Sequence, residues 1–455
     1  MGYQTRNPYT EELLESFPEH TDLDLEQFLA RAAAAYAHWR RVSYAQRGEV
    51  IRKAAAILRE EGDRFARLIT LEMGKLLAEA RKEVALCARI FDYYAEHAEP
   101  FLAPRPIDTQ RGLATVETGP LGLLFCIEPW NFPFYQLARV AAPNLMAGNV
   151  LMVKHAPNVP QCARAFEELL LDAGAPAGAY TNVFLSNEQA AFAIADVRVR
   201  GVALTGSERA GAAVAAEAGK ALKKTTMELG GSDAFIVLAD ADMDTAVRLA
   251  VEGRMTNAGQ VCDGAKRFIL DESIAAEFLE RFAAALARLL PGDPAHADTT
   301  LAPLCSEAAL ELALRQIAAA VEGGARVLAG GTRLGTTGYF LAPTILTGIG
   351  PNNPAYRQEF FAPVALVFIV EDEEQAVALA NDSPYGLGGS IVTTDIARGR
   401  ALASRIDTGM VFINAPAVSS PELPFGGVKN SGYGRELSDL GIAEFVNRKL
   451  VLSVA

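Results

Sequence analysis

The sequence predicts an α/β protein built on parallel sheets, and three observations carry that prediction. The first hundred residues have helical spacing. From Gly119 to Leu238, short apolar runs alternate with helical stretches. A second alternating run occupies about 240–415. Buried strands alternating with amphipathic helices assemble into a parallel sheet covered on both faces. At 455 residues the chain is long enough for two or three domains of roughly 150 residues each.

Taken in order, Asp24 and Gln27 are placed to start a first helix, with Leu25, Phe28 and Leu29 beginning its apolar stripe. Ser43 and Gln46 form a capping box ahead of Val50, Ala54, Ile57 and Leu58, which share one face. A third helical stretch runs from about Leu76 to Ala98, and prolines 100, 104 and 106 close the helical region. Arg111–Val116 is β-like. Leu121–Ile127 and Val150–Val153 are buried-strand runs separated by a helix over Phe134–Ala147 that stops at Gly148; another helix lies near Gln161–Ala173. Further strands are expected at Asn182–Leu185, Val199–Leu204, Thr225–Leu229 and Ala234–Leu238. The tail ends in Lys449-Leu-Val-Leu-Ser-Val454, an extended apolar piece. Exposed alone it would be an edge-strand liability, so pairing with another subunit is expected.

Composition narrows the function. Half of the residues are hydrophobic and 21% are charged, which excludes a disordered or fibrous chain. The net charge of -13 argues against nucleic acid as a partner, and an anionic substrate would need a local cation. The five cysteines (87, 126, 162, 262 and 305) are scattered, with no CxxC pair, and read as reduced thiols of a cytoplasmic protein. The five histidines form no HxxH, HxxxH or HExxH, so no metal site is expected. No apolar run approaches the roughly 18 residues of a membrane span, and the polar start has no signal-peptide core.

Four places carry chemistry. Leu204-Thr205-Gly206-Ser207 with Gly211 lies between a strand and a helix, where glycines let backbone approach a phosphate; an ordinary strand–helix turn reads the same way. Cys262 follows Gly259-Gln260-Val261, and an isolated cysteine beside a glycine is usually a small buried hydrophobe. Glu228 ends an apolar strand in Met227-Glu228-Leu229-Gly230-Gly231, where an unpaired charge would cost several kcal/mol. Asn131, in Pro129-Trp130-Asn131-Phe132-Pro133, is expected to cap the helix that follows.

Together and in this order these segments resemble the aldehyde dehydrogenase superfamily. Lys154 at a strand end, Gln358-Glu359-Phe360-Phe361-Ala362-Pro363, and Pro424-Phe425-Gly426-Gly427 through Ser431-Gly432 extend the match from about Asn7 to Val454. The length, Phe134-Tyr135-Gln-Leu-Ala-Arg139 and Gly432-Tyr-Gly-Arg-Glu436 are most similar to the bacterial succinate-semialdehyde dehydrogenases. The resemblance implies a Rossmann-type cofactor domain (1–107 and 120–229), an α/β catalytic domain (230–430), and a small β oligomerisation element (108–119 with 431–455). It also implies a homodimer or homotetramer.

The same resemblance assigns roles. Cys262 would be the nucleophile, the Asn131 amide with the Cys262 backbone N–H the oxyanion donors, and Glu228 the base that activates water on the thioester. A positioned Glu228 favours hydrolysis to a free acid over transfer to a thiol. Lys154 and Glu359 would hold the cofactor ribose hydroxyls, Gly206, Ser207 and Gly211 would lie by the pyrophosphate, and Phe361 and Trp130 would pack beside the cofactor. Arg139 is the expected anchor for a substrate carboxylate, with Tyr135 as a tunnel wall and Ser419 in the late loop; a plain surface arginine is the alternative. Pro157 stands where many NAD+-preferring relatives carry a ribose-binding glutamate. NADP+ is therefore favoured over NAD+, with Lys154 and His155 facing the extra phosphate. Asp263 beside the nucleophile is expected to point away or find a cation. The expected function is oxidation of succinate semialdehyde to succinate. Another small aldehyde, such as glutarate semialdehyde or an uncharged aliphatic one, and a catalytically silent protein on the same fold are the alternatives.

Overall fold

The computed structural model describes residues 2–454. The amino-terminal part is helical as expected, but it opens with an antiparallel pair of strands, Tyr3–Arg6 and Leu13–Phe17, too short and too exposed for the pattern to reveal. The first helix, Asp22–Trp39, starts three residues before its apolar stripe at Leu25. Thr21 is the cap: its hydroxyl accepts from the Asp24 N–H while the Asp24 carboxylate takes the Thr21 N–H. The Ser43–Gln46 capping box starts Tyr44–Glu60 as predicted. Gly62–Met73 is an additional helix, and Leu77–Phe101 carries Pro100 in its last turn.

These helices pack against Pro133–Ala147, of which every residue is buried. Such a helix sits inside the protein rather than on it, so each polar side chain it carries needs a partner. It ends at Gly148 in the left-handed conformation (φ 97°) that glycine adopts without strain.

Beneath it lies a six-stranded sheet. Its order is Gly432–Tyr433, Lys224–Glu228, Val199–Thr205, Leu123–Glu128, Val150–His155, Tyr180–Asn182, all parallel except the first. The chain moves outward from Leu123–Glu128 in one direction and then returns to build on its other side at Val199–Thr205. The strand order therefore reverses between these two strands, and their carboxyl ends bound the crevice where open α/β sheets bind ligands.

A second sheet of seven strands has Ala265–Asp271 near its centre, flanked by Asp233–Val237 and Val364–Val370, with only the edge strand Arg326–Ala329 antiparallel. A third, three-stranded sheet joins Arg105–Ile107, Leu113–Pro120 and Val446–Ser453, the last two in register over eight residue pairs. The segment 431–455 thus contributes to two sheets. Leu450 and Leu452 on the outer strand and Leu113 on its neighbour are exposed. Among the described residues no helix is long and apolar enough to cross a membrane, and no group of His, Cys, Asp and Glu could hold a metal ion.

Candidate active site

Cys262 stands between the short helix Thr256–Gly259 and strand Ala265–Asp271. The approach is a tight turn in which Asn257, Ala258 and Gly259 all have positive φ (54°, 52° and 74°). The strain is held by partners: the Asn257 N–H donates to the Glu79 carboxylate at 3.2 Å, the Gln260 amide donates to Asn257 O at 3.0 Å, and Arg254 donates to Gly259 O. A side chain at 259 would overlap the Ala362 carbonyl. The Gly-Gln motif is therefore a mould for the loop that presents the thiol.

Cys262 is the one partly exposed cysteine among the described residues; the other four are buried. It lies on the wall of a cavity of about 560 Å³ shared with Asp263, Tyr135, Arg139, Ser419 and Phe425. Asn131 is not the helix cap that its position in the sequence indicates. The cap residue is Phe132, which makes no side-chain cap, and Glu83 serves instead: its Oε1 accepts from the Phe134 and Tyr135 N–H groups at 2.9 and 3.1 Å. Asn131 is thereby released to the cysteine loop. Its Nδ2 donates to Gln260 O at 3.1 Å and its carbonyl accepts from Asn257 at 2.9 Å, which leaves one amide hydrogen for an oxyanion. Glu83 is itself ion-paired with Lys75, whose ammonium lies over the Phe132 ring.

Tyr135, Arg139 and Ser419 form a continuous chain. The Tyr135 hydroxyl donates to Ser419 Oγ at 2.9 Å, and Arg139 reaches Tyr135 OH at 3.4 Å and Thr205 Oγ1 at 3.2 Å. Arg139 is no surface residue; it is 1% exposed and stacks on the Phe425 ring. Its charge is already matched by an ion pair with buried Glu436. Burial works against the guanidinium, but Glu436 overrides that and holds it charged.

Glu228 occupies the end of strand Lys224–Glu228 as expected, 2% exposed, with neither carboxylate oxygen hydrogen-bonded. A Cβ at Gly426 would come within 2.7 Å of its Oε1, so the glycine makes room for the carboxylate. It does not line the cavity at Cys262. Burial and then the neighbouring Glu436 push its acid well above the usual carboxylate range, against the pull of Arg139. Glu128, at the end of the central strand, is in the same position: buried, unpartnered, and raised by burial and by Glu436. Three carboxyl groups thus surround one guanidinium. Glu128 and Glu436 escape a motif-based reading because strand-end and loop acids are common; an acid closing the apolar run Leu123–Ile127 was the available signal for Glu128.

Two further expectations are corrected. Asp263 does not point away: it is 8% exposed and its Oδ1 lies 3.8 Å from Cys262 Sγ. Burial, followed by Asp263, raises the Cys262 thiol well above its ordinary value. His155 does not face the cofactor crevice. Its ring is buried between the carbonyl oxygens of Glu128 and Pro133, at 3.1 and 3.0 Å, and burial lowers it to about 4. It is neutral and offers no charge to a phosphate.

The remaining predicted groups come from several segments. Ser207 caps helix Glu208–Lys220, so that helix aims its free N–H groups at the crevice. Gly211 serves packing: a Cβ there would meet Leu229 at 2.6 Å. Lys154 is 9% exposed, over the Tyr3 ring, with burial lowering its ammonium. The Pro157 carbonyl accepts from Gln4 N at 2.9 Å. Glu359 Oε1 takes the Gly231 N–H at 3.2 Å and pairs with Lys266 at 3.0 Å. Trp130 and Phe361 meet edge to face, 5.7 Å between centroids. Lys266, missed from sequence, also donates to the backbone carbonyls of Val261 and Cys262 at 2.8 and 2.5 Å. A crevice with a helix amino terminus, a buried lysine and an aromatic pair fits a dinucleotide.

Comparison with known proteins assigns the family. A family model described as the aldehyde dehydrogenase family matches residues 1–451. The chain is 49% identical over 449 residues to a succinate-semialdehyde dehydrogenase [NADP(+)] of Deinococcus radiodurans, covering 99% of this chain and 94% of that protein. It is 44% identical to the Escherichia coli succinate semialdehyde dehydrogenase [NAD(P)+] Sad, covering 98% and 96%. The crystal structure of succinic semialdehyde dehydrogenase from Streptococcus pyogenes in complex with NADP+ superposes with a TM-score of 0.98 at 47% identity, covering all of both chains. With its cysteine loop, asparagine amide and strand-end glutamate set as described, the chain belongs to the aldehyde dehydrogenase family.

Proposed function

We propose that this protein oxidises succinate semialdehyde to succinate with NADP+ or NAD+. The observation that carries the reading is the Arg139–Tyr135–Ser419 chain on the wall of the cavity that opens onto Cys262. It sets a cation and two hydroxyls within the space a short substrate would occupy from the thiol. The relatives named for succinate semialdehyde support the same substrate.

The bound dinucleotide supplies the hydride acceptor; Lys154, Ser207 and Glu359 would hold it, with Trp130 and Phe361 beside it. The chain's own residues do the rest. Cys262 as thiolate adds to the aldehyde carbon, and the oxyanion is met by the free Asn131 amide hydrogen and the Cys262 N–H. Loss of hydride leaves an acyl thioester on Cys262. Glu228 takes a proton from the water that attacks it, and collapse releases the acid and the thiolate.

The pairing of Arg139 with Glu436 favours a second reading, in which another small aldehyde, less dependent on a carboxylate anchor, is the better substrate. Turnover of succinate semialdehyde, glutarate semialdehyde and butanal, each with NAD+ and NADP+, tests both. Faster turnover of butanal than of either semialdehyde would remove the anionic substrate. The exposed strand Val446–Ser453 supports assembly of two or four copies through its free edge. The net charge of -13 speaks against nucleic acid as a partner, and a cytoplasmic location fits the free thiols.

A further inference from the structure

Asp263 is the group at this site that neither the family roles nor the substrate reading uses. Its carboxylate lies on the cavity wall, 3.8 Å from Cys262 Sγ and 8% exposed. The charged groups that act on the thiol come from four segments. Asp263 is its neighbour in the loop. Lys266 opens the following strand, Arg139 projects from helix Pro133–Ala147, and Glu359 comes from the loop before Val364–Val370. Both cations are occupied: Lys266 by two backbone carbonyls and Glu359, Arg139 by Glu436. Asp263 makes no ion pair among the described residues, and its contact with the sulfur is direct.

We propose that Asp263 is a positioning residue that holds resting Cys262 as a protonated thiol, hydrogen-bonded to its carboxylate. A thiolate beside that carboxylate would put two negative charges about 4 Å apart on one cavity wall, where like charges disfavour ionisation. The thiol is the poorer nucleophile and the form that resists oxidation, so the arrangement keeps the cysteine in reserve. Ionisation, when it occurs, sends the proton to water, and no bond to carbon or change of oxidation state is involved.

The inference rests on Cys262 being the nucleophile, and the experiment separates the two. Full-length wild type, Asp263→Asn and Asp263→Ala are alkylated with iodoacetamide from about pH 6 to about pH 10, and labelling of Cys262 is followed by mass. Both variants should shift the thiol titration downward by at least about one unit, so that alkylation near neutral pH is about tenfold faster than in wild type. An unchanged profile in both variants overturns the proposal. So does slower alkylation near neutrality, which would make the carboxylate an acceptor that promotes the thiolate. Cofactor binding and thermal unfolding show which variants are folded, and either folded one decides the question. Cys262→Ala is the control. If it still oxidises aldehyde, the nucleophile reading fails. If turnover needs Cys262 while the alkylation profile stays fixed, only the role of Asp263 fails.

Discussion

Replacing Arg139 with alanine tests two functions of one side chain at once. The guanidinium lines the substrate cavity, and it also neutralises Glu436, whose side chain is 9% exposed. A charge-assisted hydrogen bond to a substrate carboxylate contributes about 1.5–3 kcal/mol, which is about tenfold to a hundredfold in KM. Removing one member of a buried pair costs about 3–5 kcal/mol of stability, because the other charge is left uncompensated. Arg139→Ala should therefore raise KM for succinate semialdehyde at least about tenfold more than KM for butanal, and should also lower the denaturant midpoint. The double variant Arg139→Ala/Glu436→Gln removes both members of the ion pair. It should regain much of the midpoint while keeping the raised KM for the anionic aldehyde. Steady-state kinetics with both aldehydes, alongside urea unfolding of wild type and both variants, gives the two readouts. If Arg139→Ala affects both aldehydes equally, or if the double variant restores the preference for succinate semialdehyde, the guanidinium is a structural partner of Glu436 and not the anchor.

Three further outcomes follow from the geometry. Glu228→Gln should give a burst of about one equivalent of reduced cofactor and then slow turnover as the thioester accumulates, seen by rapid-mixing absorbance; loss of the burst would place Glu228 in the first half-reaction. Pro157→Glu should reduce kcat/KM for NADP+ well beyond any change for NAD+, since a carboxylate would then face the additional phosphate beside Lys154. Equal effects would show that position 157 does not set the preference. Glu72 is buried against Thr5 and the N–H groups of Gln161 and Cys162, and burial raises it from 4.5 to about 7. Between those values the folded chain keeps a proton that the unfolded chain has lost. Glu72 therefore stabilises fully below about pH 4.5, and about 3 kcal/mol is lost as pH rises through about 7. Denaturant titrations at mildly acidic and mildly alkaline pH should show that decline, and Glu72→Gln should flatten it.

Local chemistry is what the sequence alone determined. Apolar runs marked the parallel strands within a few residues, because a strand buried on both faces must be apolar throughout. Ser43 and Gln46 marked a helix start, because a capping box closes within four residues. The order of Asn131, Glu228 and Cys262 marked the family, because the reaction needs those three chemical types. Whatever depends on which distant side chain lies nearby was decided only by the tertiary structure. Asn131 was expected to cap a helix, but Glu83, 51 residues from Phe134, took that N–H. His155 was expected at a phosphate, but two carbonyls from other segments enclose it. Asp263 was expected to turn away from Cys262, but the loop that presents the thiol carries its carboxylate into the same cavity. Arg139 was read as a free cation, and Glu436, 297 residues along the chain, neutralises it. Pairings between residues so far apart leave no periodicity in the sequence. A buried charge is satisfied by whatever the packed fold brings beside it, and only the packing of helix Pro133–Ala147 against the neighbouring helices and the six-stranded sheet determines that neighbour.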